Sequence, residues 1–259
     1  MNASNFNNVT LLVTHYNRSS SLERLLRSFA KINCSFGDIV VSDDGSKPEH
    51  LALVKSLSEE LGFRLITTPK NAGLGNNINK GQDAVNTPYT LYVQEDFDPA
   101  PDFRTHFSDA LLIMEERKDL DVARFYAYFK YPYLKKIRNG FSEMKFSFWK
   151  PGYGKFYAYS DHPHLRRDNF FGRFGRYAEG VKGDVTEYRM MLSFLQHKGK
   201  GIYYENFKSL FDQKNSSDEP STMTGTRNYW RESDNGIVWL MREIYRYVKL
   251  NYDYLFKKF

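Results

Sequence analysis

The sequence predicts an α/β fold in which a Rossmann-like, doubly wound and mostly parallel sheet is flanked by helices. Short β-branched apolar runs alternate with helical patterns through the first half of the chain, as expected when helices connect parallel strands. The 259 residues suffice for one large domain with a sizeable core, and 41% of them are hydrophobic. Only one cysteine, Cys34, is present, so no intramolecular disulfide is possible and a reducing compartment is expected.

Four strands and three connecting helices are predicted in the first hundred residues. In chain order these are strand 9–14, a helix carrying Leu22 to Phe29, strand 39–41, helix 48–61, strand 64–67, a helix from about 75 to 85, and strand 89–93. Gly62 follows the second helix, where a left-handed glycine commonly ends a helix. Polar residues follow three of the strands, at 14–16, 43–44 and 95–96. Because ligands of such sheets bind beyond the carboxyl ends of the strands, we expect these residues to line one crevice.

The second half of the chain is less regular and is rich in aromatic residues. The predicted elements are a helix at 102–118 with Asp102 as its cap, strand 122–128, helix 186–197 and strand 201–204. Residues 130–182 show no clear period, and residues 215–226 are polar and turn-rich, which predicts a mobile loop. Residues 230–259 carry apolar side chains at helical spacing with arginine and lysine between them, which predicts an amphipathic C-terminal helix.

The charge pattern narrows the partners that the chain is expected to bind. A net charge of +6 fits acidic ligands such as phosphates, or an anionic membrane surface. No nucleic-acid-binding motif or uninterrupted basic run is present, so nucleic acid is not expected as a partner. Residues 1–8 lack the apolar stretch of a signal peptide, and no window approaches the ~18 apolar residues of a membrane span. We expect a cytoplasmic protein whose C-terminal helix either packs on the core or contacts the inner face of the membrane.

Four segments occur in a fixed order along the chain. They are Val13-Thr14-His15-Tyr16-Asn17-Arg18, Val40-Val41-Ser42-Asp43-Asp44-Gly45-Ser46, the pair Asn71-Ala72-Gly73 and Asn79-Lys80-Gly81, and Leu91 through Phe103 with Pro101-Asp102-Phe103 at its end. In this order and spacing they resemble the motifs of glycosyltransferase family 2, whose members have the GT-A fold and use nucleotide-diphospho-sugar donors. The resemblance implies a GT-A domain at 1–229, with a donor and metal half at about 9–103 and an acceptor half at 104–229. An extension at 230–259 would pack on it.

The resemblance also assigns residues to the nucleotide. Tyr16 would stack on the base and Thr14 would hydrogen-bond it. Asp44 would accept the imide N–H of uracil or thymine, which selects against cytosine, and Asp43 would support the turn. The remaining donor-binding residues would come from the loop and helix after the third strand: Asn71, Gly73 and Asn79. On the residues alone, the Asp-Asp-Gly-Ser run is also explained as a turn that caps a helix.

The resemblance places a divalent cation, Mn²⁺ or Mg²⁺, after the fourth strand. Such a cation bridges the two phosphates of the donor and offsets the negative charge that grows on the leaving group. Counted back from Pro101, Asp96 falls on the metal ligand of the family, Glu95 falls on the acid that contacts the ribose or an ordered water, and Asp98 is an additional candidate ligand. Gln94 departs from the family, because many relatives carry an acid there. A solvated acidic turn is the alternative reading.

A late histidine holds the metal in some relatives, but Phe211-Asp212-Gln213 stands in that stretch here. Either His162 or His164, from the polar loop 161–168, substitutes for it, or the metal has fewer protein ligands.

An inverting transfer needs a base that takes the proton of the acceptor hydroxyl. The family places an acid at the start of a helix in the second half, and residues 183–191 resemble that segment. Glu187 is the first candidate for the base and Asp184 is the second, three positions earlier on the same helix. Acids at the start of a helix also have a structural explanation, because the positive end of the helix dipole stabilises their negative charge.

The function implied is a single, inverting transfer of a sugar from a UDP- or dTDP-sugar to a glycan or a lipid-linked acceptor, in cell-surface polysaccharide synthesis. The Gln-x-x-Arg-Trp signature of processive synthases is absent. One alternative is a GT-A-like module that binds nucleotide sugar and has lost catalysis, which the departures at Gln94 and Gln213 favour. A sugar-nucleotide pyrophosphorylase is less favoured, because it needs a glycine-rich loop after the first strand and residues 14–21 contain no glycine.

Overall fold

The computed structural model describes residues 4–214 and 236–259. Its strands are β1 (Ser4–His15), β2 (Cys34–Asp43), β3 (Arg64–Thr67), β4 (Tyr89–Gln94), β5 (Phe97–Pro99), β6 (Val122–Arg124), β7 (Leu134–Arg138), β8 (Phe141–Met144), β9 (His164–Arg167), β10 (Gly201–Tyr204) and β11 (Phe211–Gln213). Its helices are α1 (Ser19–Lys31), α2 (Pro48–Leu61), α3 (Leu74–Asp83), α4 (Phe103–Glu116), α5 (Phe170–Phe174), α6 (Gly183–Gln196) and a C-terminal helix (Gly236–Phe256).

Within these residues, nine strands form one sheet in the order β3-β2-β1-β4-β9-β6-β10-β8-β7. The pairs among β3, β2, β1 and β4 are parallel, and so is the pair of β6 with β10. Strand β9 runs antiparallel between β4 and β6, and β8 runs antiparallel between β10 and β7. The predicted mostly parallel α/β sheet is confirmed, and β5 with β11 forms a small second sheet.

Side chains of the central strands alternate between two hydrophobic clusters, one on each face of the sheet. Leu11 and Val13 of β1 pack with Phe107 of α4 in the first cluster. Leu12, which points to the opposite face, packs with Ile78 of α3 in the second. A strand buried on both faces reads as a continuous apolar run, which is why the pattern at 9–13 indicated a central parallel strand.

The first half of the chain follows the predictions closely, while the second half departs from them. Strands β3 and β10 and helix α2 have the predicted bounds, and Gly62 ends α2 in the left-handed conformation at φ 71°. The strand predicted at 122–128 ends at Arg124, because the next backbone N–H, of Phe125, donates to the Pro163 carbonyl rather than to a strand neighbour. Helix α6 begins at Gly183, three residues before the predicted start.

Residues 130–182, which showed no period, contain a hairpin, strand β9 and the short helix α5. The hairpin turn is Asn139-Gly140, and both residues have positive φ, at 53° and 80°. Asn-Gly is the dipeptide that a two-residue hairpin turn favours, so a local signal for β7 and β8 was present in the sequence.

The C-terminal helix packs against α6. The Tyr188 hydroxyl donates to Asp253 Oδ2 at 2.6 Å, and Gln196 Nε2 donates to the Tyr254 carbonyl at 2.9 Å. Among the described helices, none combines the length and the apolar character that crossing a bilayer requires. The loop predicted at 215–226 lies outside the described residues.

Candidate functional site

A cavity of about 630 Å³ opens at the carboxyl ends of β1, β2 and β4, and we refer to it as the strand-end cavity. It is the crevice that the polar strand ends predicted. The predicted site residues that line it are Thr14, Tyr16, Asp44, Asn71, Gly73, Glu95, Asp96 and Glu187. The other predicted residues, which do not line the cavity, are Asp43, Asn79, Asp98 and Asp184.

Asp43 lies fully buried behind the cavity wall and holds the turn after β2. Its Oδ1 lies 2.8 Å from His15 Nδ1, and its Oδ2 accepts hydrogen bonds from Thr67 Oγ1 and the Ser46 backbone. The His15 Nε2 accepts the Arg18 backbone N–H at 3.2 Å, so Nδ1 carries the ring hydrogen and donates to Asp43. Burial would raise the pKa of Asp43, but these donors together hold that pKa well below its ordinary value.

Asp44, the next residue, faces the cavity and fixes the loop opposite. Its Oδ1 accepts the Ala72 N–H and its Oδ2 accepts the Gly73 N–H, both at 2.9 Å. Burial raises the pKa of Asp44, and the two N–H groups and the charge of Lys80 oppose that rise. Each oxygen of a carboxylate accepts two hydrogen bonds and each Asp44 oxygen has one from the loop, so Asp44 keeps capacity for further donors.

The close approach of the two loops requires glycine at position 45. Gly45 has φ 66°, and a Cβ placed on it would lie 2.4 Å from the Lys70 carbonyl carbon. A side chain would therefore push apart the turn after β2 and the Asn71 loop that Asp44 holds.

Three other predicted residues do not line the cavity, and two of them make structural contacts. Asn79 is buried and its amide bonds the backbone of Tyr177 through both its oxygen and its nitrogen. Asp98 accepts from Arg24 Nε at 3.0 Å and pairs with Lys214 at 2.9 Å. Asp184 is exposed in the first turn of α6.

The metal-motif acids Glu95 and Asp96 meet an arginine that sequence reasoning gave no role. Arg18 Nη1 lies 3.6 Å from Glu95 Oε1 and 3.6 Å from Asp96 Oδ2, and all three side chains are buried at the cavity wall. Gln213 Nε2 also donates to Asp96 Oδ2, at 2.9 Å. Asp96 Oδ1 is buried and has no hydrogen-bond partner among the described residues. An acceptor in that state has room for a cation.

Neither histidine of the 161–168 loop joins the metal-motif acids. Within residues 4–214 and 236–259, no group of three or more His, Cys, Asp or Glu side chains is placed to hold a metal ion. His164 lies on β9 in the core, 3.3 Å from the Tyr159 hydroxyl. His162 lines the cavity, where burial and the charge of Arg124 lower its pKa to about 3, so its ring is neutral. A metal bound at Asp96 would therefore have few ligands among the described residues, which is the second of the two predicted arrangements.

Glu187 reaches the strand-end cavity from the first turns of α6. Its Oε1 accepts the backbone N–H of Asp161 at 3.4 Å. Burial raises the pKa of Glu187, while Asp161 and the charge of Arg124 oppose that rise. Asp161, in turn, is buried and its Oδ2 lies 3.4 Å from the Gln94 amide nitrogen.

Tyr128 stands at the mouth of the cavity and is 55% exposed. Its ring packs edge-on against His162, with 4.5 Å between ring centroids, and its hydroxyl donates to Gln213 Oε1 at 3.0 Å. Gln213 therefore links this aromatic residue to Asp96. An exposed ring held in one orientation beside a polar cavity suits contact with a sugar ring.

Sequence reasoning missed roles for Arg18, Asp161 and Gln213. Arg18 belongs to the first motif. A positively charged residue shortly after β1 was the signal that could have indicated its place beside the acids. Asp161 was interpreted as part of a loop that contacts phosphate or metal. Its contact with Glu187 was not predicted, because the two residues are far apart in the sequence. Gln213 was seen only as a departure from histidine.

The architecture defines the class of the protein: a GT-A-type nucleotide-diphospho-sugar transferase fold with its polar cavity at the strand ends. The family model "Glycosyl transferase family 2" matches residues 10–194. The chain therefore belongs to glycosyltransferase family 2, as the four motifs predicted. No curated protein matches it in a sequence search.

Solved structures of glycosyltransferases share the fold. TarS 1-349 of S. aureus in complex with UDP-GlcNAc aligns with a TM-score of 0.63 and 15% identity, over 95% of this chain and 72% of that one. Another TarS 1-349 structure aligns with a TM-score of 0.57 and 17% identity, over 78% of this chain and 59% of that one. The chain therefore spans less than two thirds of the length of that relative. The mannosyltransferase PcManGT of Pyrobaculum calidifontis, in complex with GDP-Man and Mn²⁺, aligns with a TM-score of 0.53 and 13% identity. The alignment covers 75% of this chain and 53% of that one.

Proposed function

We propose that this chain transfers one sugar from a uridine or thymidine diphosphate sugar to a hydroxyl group of a glycan or lipid-linked acceptor, with inversion at the anomeric carbon. The observation that carries the proposal is that Asp44, Asp96 and Glu187 line one cavity, although they come from distant parts of the sequence. Each supplies one requirement of the reaction: base recognition, diphosphate binding and proton removal.

The nucleotide would bind at the side of the cavity formed by β1 and β2. Asp44 has capacity to accept the N3–H of uracil or thymine, and Tyr16, which is partly buried at the cavity, offers a ring for stacking. Thr14 Oγ1 lies 3.1 Å from the Tyr92 hydroxyl, so its orientation is set by a buried neighbour. Asn71 and Gly73, fixed through Asp44, would form the floor under the base and phosphates.

The diphosphate would bind where Arg18, Glu95 and Asp96 meet. Mg²⁺ and Mn²⁺ prefer carboxylate oxygens and accept as few as one or two from the protein when phosphate oxygens supply the others. The residues present fit such an ion, because Asp96 Oδ1 is buried without a partner among the described residues. Asp96 would hold it, and Asp98 would join only by leaving Arg24 and Lys214. When bound, the ion offsets the negative charge that develops on the leaving diphosphate.

The chain's own residues then account for the proton and the leaving group. Glu187 takes the proton of the acceptor hydroxyl as that oxygen bonds to the anomeric carbon and the bond from that carbon to the diphosphate oxygen breaks. Arg18 adds a positive charge beside the diphosphate, and it also offsets the repulsion between Glu95 and Asp96. Tyr128 and His162 offer aromatic surface to the acceptor at the mouth of the cavity.

The proposal includes contact between the C-terminal helix and an anionic membrane that carries the acceptor. The helix exposes large apolar side chains along its length: Trp239, Leu240, Met241, Ile244, Tyr245, Tyr247, Val248, Tyr252, Leu255 and Phe256. Basic residues accompany them, among them Lys257 and Lys258, and such a face suits the interface of a bilayer with acidic lipids. Co-sedimentation with phosphatidylglycerol vesicles, and none with phosphatidylcholine vesicles, is the expected result.

A screen of nucleotide sugars tests the proposal. Each would be added to the protein with and without Mn²⁺, and the melting temperature would be measured. We expect uridine or thymidine donors to raise the melting temperature, and Mn²⁺ to enlarge the effect. Metal-dependent hydrolysis of the best donor then separates an active transferase from a module that only binds. Stabilisation by cytidine diphosphate equal to that by uridine diphosphate would contradict the assignment of the base site.

A further inference from the structure

We propose that Asp161 is a positioning residue for Glu187: its carboxyl group retains a proton and directs it at the Glu187 carboxylate, which keeps that base ionised and fixed in the cavity. This inference rests on the proposed function, because it takes Glu187 as the base of the transfer. It concerns a residue from another part of the chain, in the segment before β9.

The first support is the geometry of the two carboxyl groups. Asp161 and Glu187 both line the strand-end cavity, and the Asp161 backbone N–H donates to Glu187 Oε1 at 3.4 Å. The Asp161 side chain contacts the same glutamate and has the Gln94 amide nitrogen 3.4 Å from its Oδ2. Two carboxylates this close repel each other when both are ionised, so one proton between them is the favoured state.

The surroundings decide which of the two holds the proton. Asp161 is only 6% exposed, and burial raises its pKa, with a further rise from the charge of Glu187. Burial also raises the pKa of Glu187, but the hydrogen bonds from Asp161 and the charge of Arg124 oppose that rise and favour its ionised form. Asp161 is therefore the acid of the pair and Glu187 is the carboxylate.

Other charged and titratable groups also act on the pair. Among the described residues, Arg124 at the end of β6 contributes positive charge to the pair, and Asp96 and Asp184 contribute negative charge. The neutral His162 follows Asp161 in the chain. Burial, with a smaller contribution from the charge of one of these acids, raises the pKa of five nearby tyrosines: Tyr92, Tyr128, Tyr157, Tyr159 and Tyr177.

The consequence for the reaction follows from this distribution of protons. During transfer, the acceptor hydroxyl gives its proton to Glu187 while its oxygen replaces the diphosphate on the anomeric carbon, and Asp161 keeps its own proton throughout. Glu187 then returns its proton to water. Asp161 has two effects: its hydrogen bond opposes the rise in the pKa of Glu187 that burial causes, and it holds the carboxylate in one orientation.

Infrared spectroscopy tests the shared proton without relying on activity. Wild type at neutral pH is expected to show a carboxylic-acid C=O band that is missing from Asp161→Asn and present in Asp168→Asn, a control at an exposed acid on the same segment. A spectrum of Asp161→Asn in which that band is retained would overturn the proposal, because the proton would then belong to another group.

The pH dependence of transfer tests the positioning. Asp161→Asn keeps an N–H donor toward Glu187, so kcat at neutral pH is expected to stay within about tenfold of wild type. Asp161→Ala removes the side-chain donor and keeps only the backbone N–H, so the acid limb of its kcat profile moves to higher pH and kcat at neutral pH falls about 10- to 100-fold. Profiles that coincide for wild type and both variants would refute the role.

Two further results separate this inference from the proposed function. Binding of uridine diphosphate, measured by calorimetry, is expected to be equal in wild type and Asp161→Asn, which shows that the variant is folded. If Glu187→Gln retained full transfer activity, the base assignment and this inference would both be wrong. If Glu187→Gln lost transfer while the Asp161 variants kept the wild-type profile, only this inference would be wrong.

Discussion

Gln213 Nε2 donates a hydrogen bond to Asp96 Oδ2 at 2.9 Å, and the other oxygen of the same carboxylate, Oδ1, stays buried without a partner among the described residues. Gln213 therefore fixes the plane of the Asp96 carboxylate from one side. Lys214, the next residue, extends the contact through its backbone N–H, which donates to the Asp96 carbonyl at 2.7 Å. A carboxylate oriented in this way and left with an open oxygen is suited to a cation at the cavity wall.

Asp96→Asn is expected to remove the effect of Mn²⁺ on nucleotide binding. The amide replaces the carboxylate with almost the same shape, but it lacks the negative charge that a divalent ion requires. Isothermal titration of uridine diphosphate with and without Mn²⁺ measures the effect, and about a tenfold or larger loss of the metal-dependent part is expected. Asp98→Asn is the matched comparison, because Asp98 is paired with Arg24 and Lys214. Metal dependence that survived in Asp96→Asn and vanished in Asp98→Asn would move the metal to Asp98.

Glu187→Gln is expected to lower kcat of sugar transfer about 10²- to 10⁴-fold, the usual contribution of a general base. Donor binding should be unchanged, because the amide keeps the shape of the side chain and the contact with Asp161. Single-turnover transfer and calorimetric donor binding separate the two quantities. Asp184→Asn decides between the two candidate acids, since a loss of transfer in that variant with full activity in Glu187→Gln would make Asp184 the base.

Asp44→Ala is expected to weaken uridine diphosphate binding and to reduce the preference over cytidine diphosphate. The variant loses the acceptor proposed for the N3–H and also the two hydrogen bonds to Ala72 and Gly73. Asp44→Asn helps to separate these effects, because its amide oxygen still accepts one loop N–H. Competition between the two nucleotides provides the measurement. Equal affinity of the wild-type protein for uridine diphosphate and cytidine diphosphate would show that Asp44 does not discriminate between the bases.

Asp43→Asn is expected to destabilise the fold at neutral pH and to flatten its acid sensitivity. The folded-state pKa of Asp43 lies below its ordinary value, so its contribution is fully present above about pH 4 and is lost as the pH falls below that. The variant weakens hydrogen bonds to a buried charged group, which costs about 2 kcal/mol or more. The free energy of unfolding in urea, measured for both proteins between about pH 7 and pH 3, should converge as the pH falls. Parallel curves would contradict the assignment.

Gly45→Ala is expected to destabilise the protein by more than about 1 kcal/mol, because the residue has φ 66° and a new Cβ would meet the Lys70 backbone at 2.4 Å. Gly62→Ala is the matched control, since Gly62 has φ 71° but nothing within 4 Å of its Cβ position. The difference between the two variants therefore reports the steric contact alone. Urea denaturation of both measures it, and equal losses would mean that the contact relaxes.

The fold was accessible from the sequence wherever local pattern and tertiary environment agree. The run at 9–13, the helix from Pro48 to Leu61 and the left-handed Gly62 are examples, since each depends on its own segment. Strand β9 was not predicted, because its antiparallel place between β4 and β6 depends on residues far along the chain. The hairpin at Asn139-Gly140 was predictable, since its turn residues carry the signal.

By itself, the sequence determined the class of sheet, the order of the motifs and the polar residues at three strand ends, because these follow from residue type and short-range period. Only the tertiary structure decided that Asp44 faces the cavity while Asp43 lies behind it, and that Glu187 enters the cavity while Asp184 remains at the surface. It also brought Arg18 to Asp96 and Asp161 to Glu187. The physical reason is that adjacent residues share a local pattern but point in different directions, and contacts between distant segments depend on how the whole sheet and its helices pack.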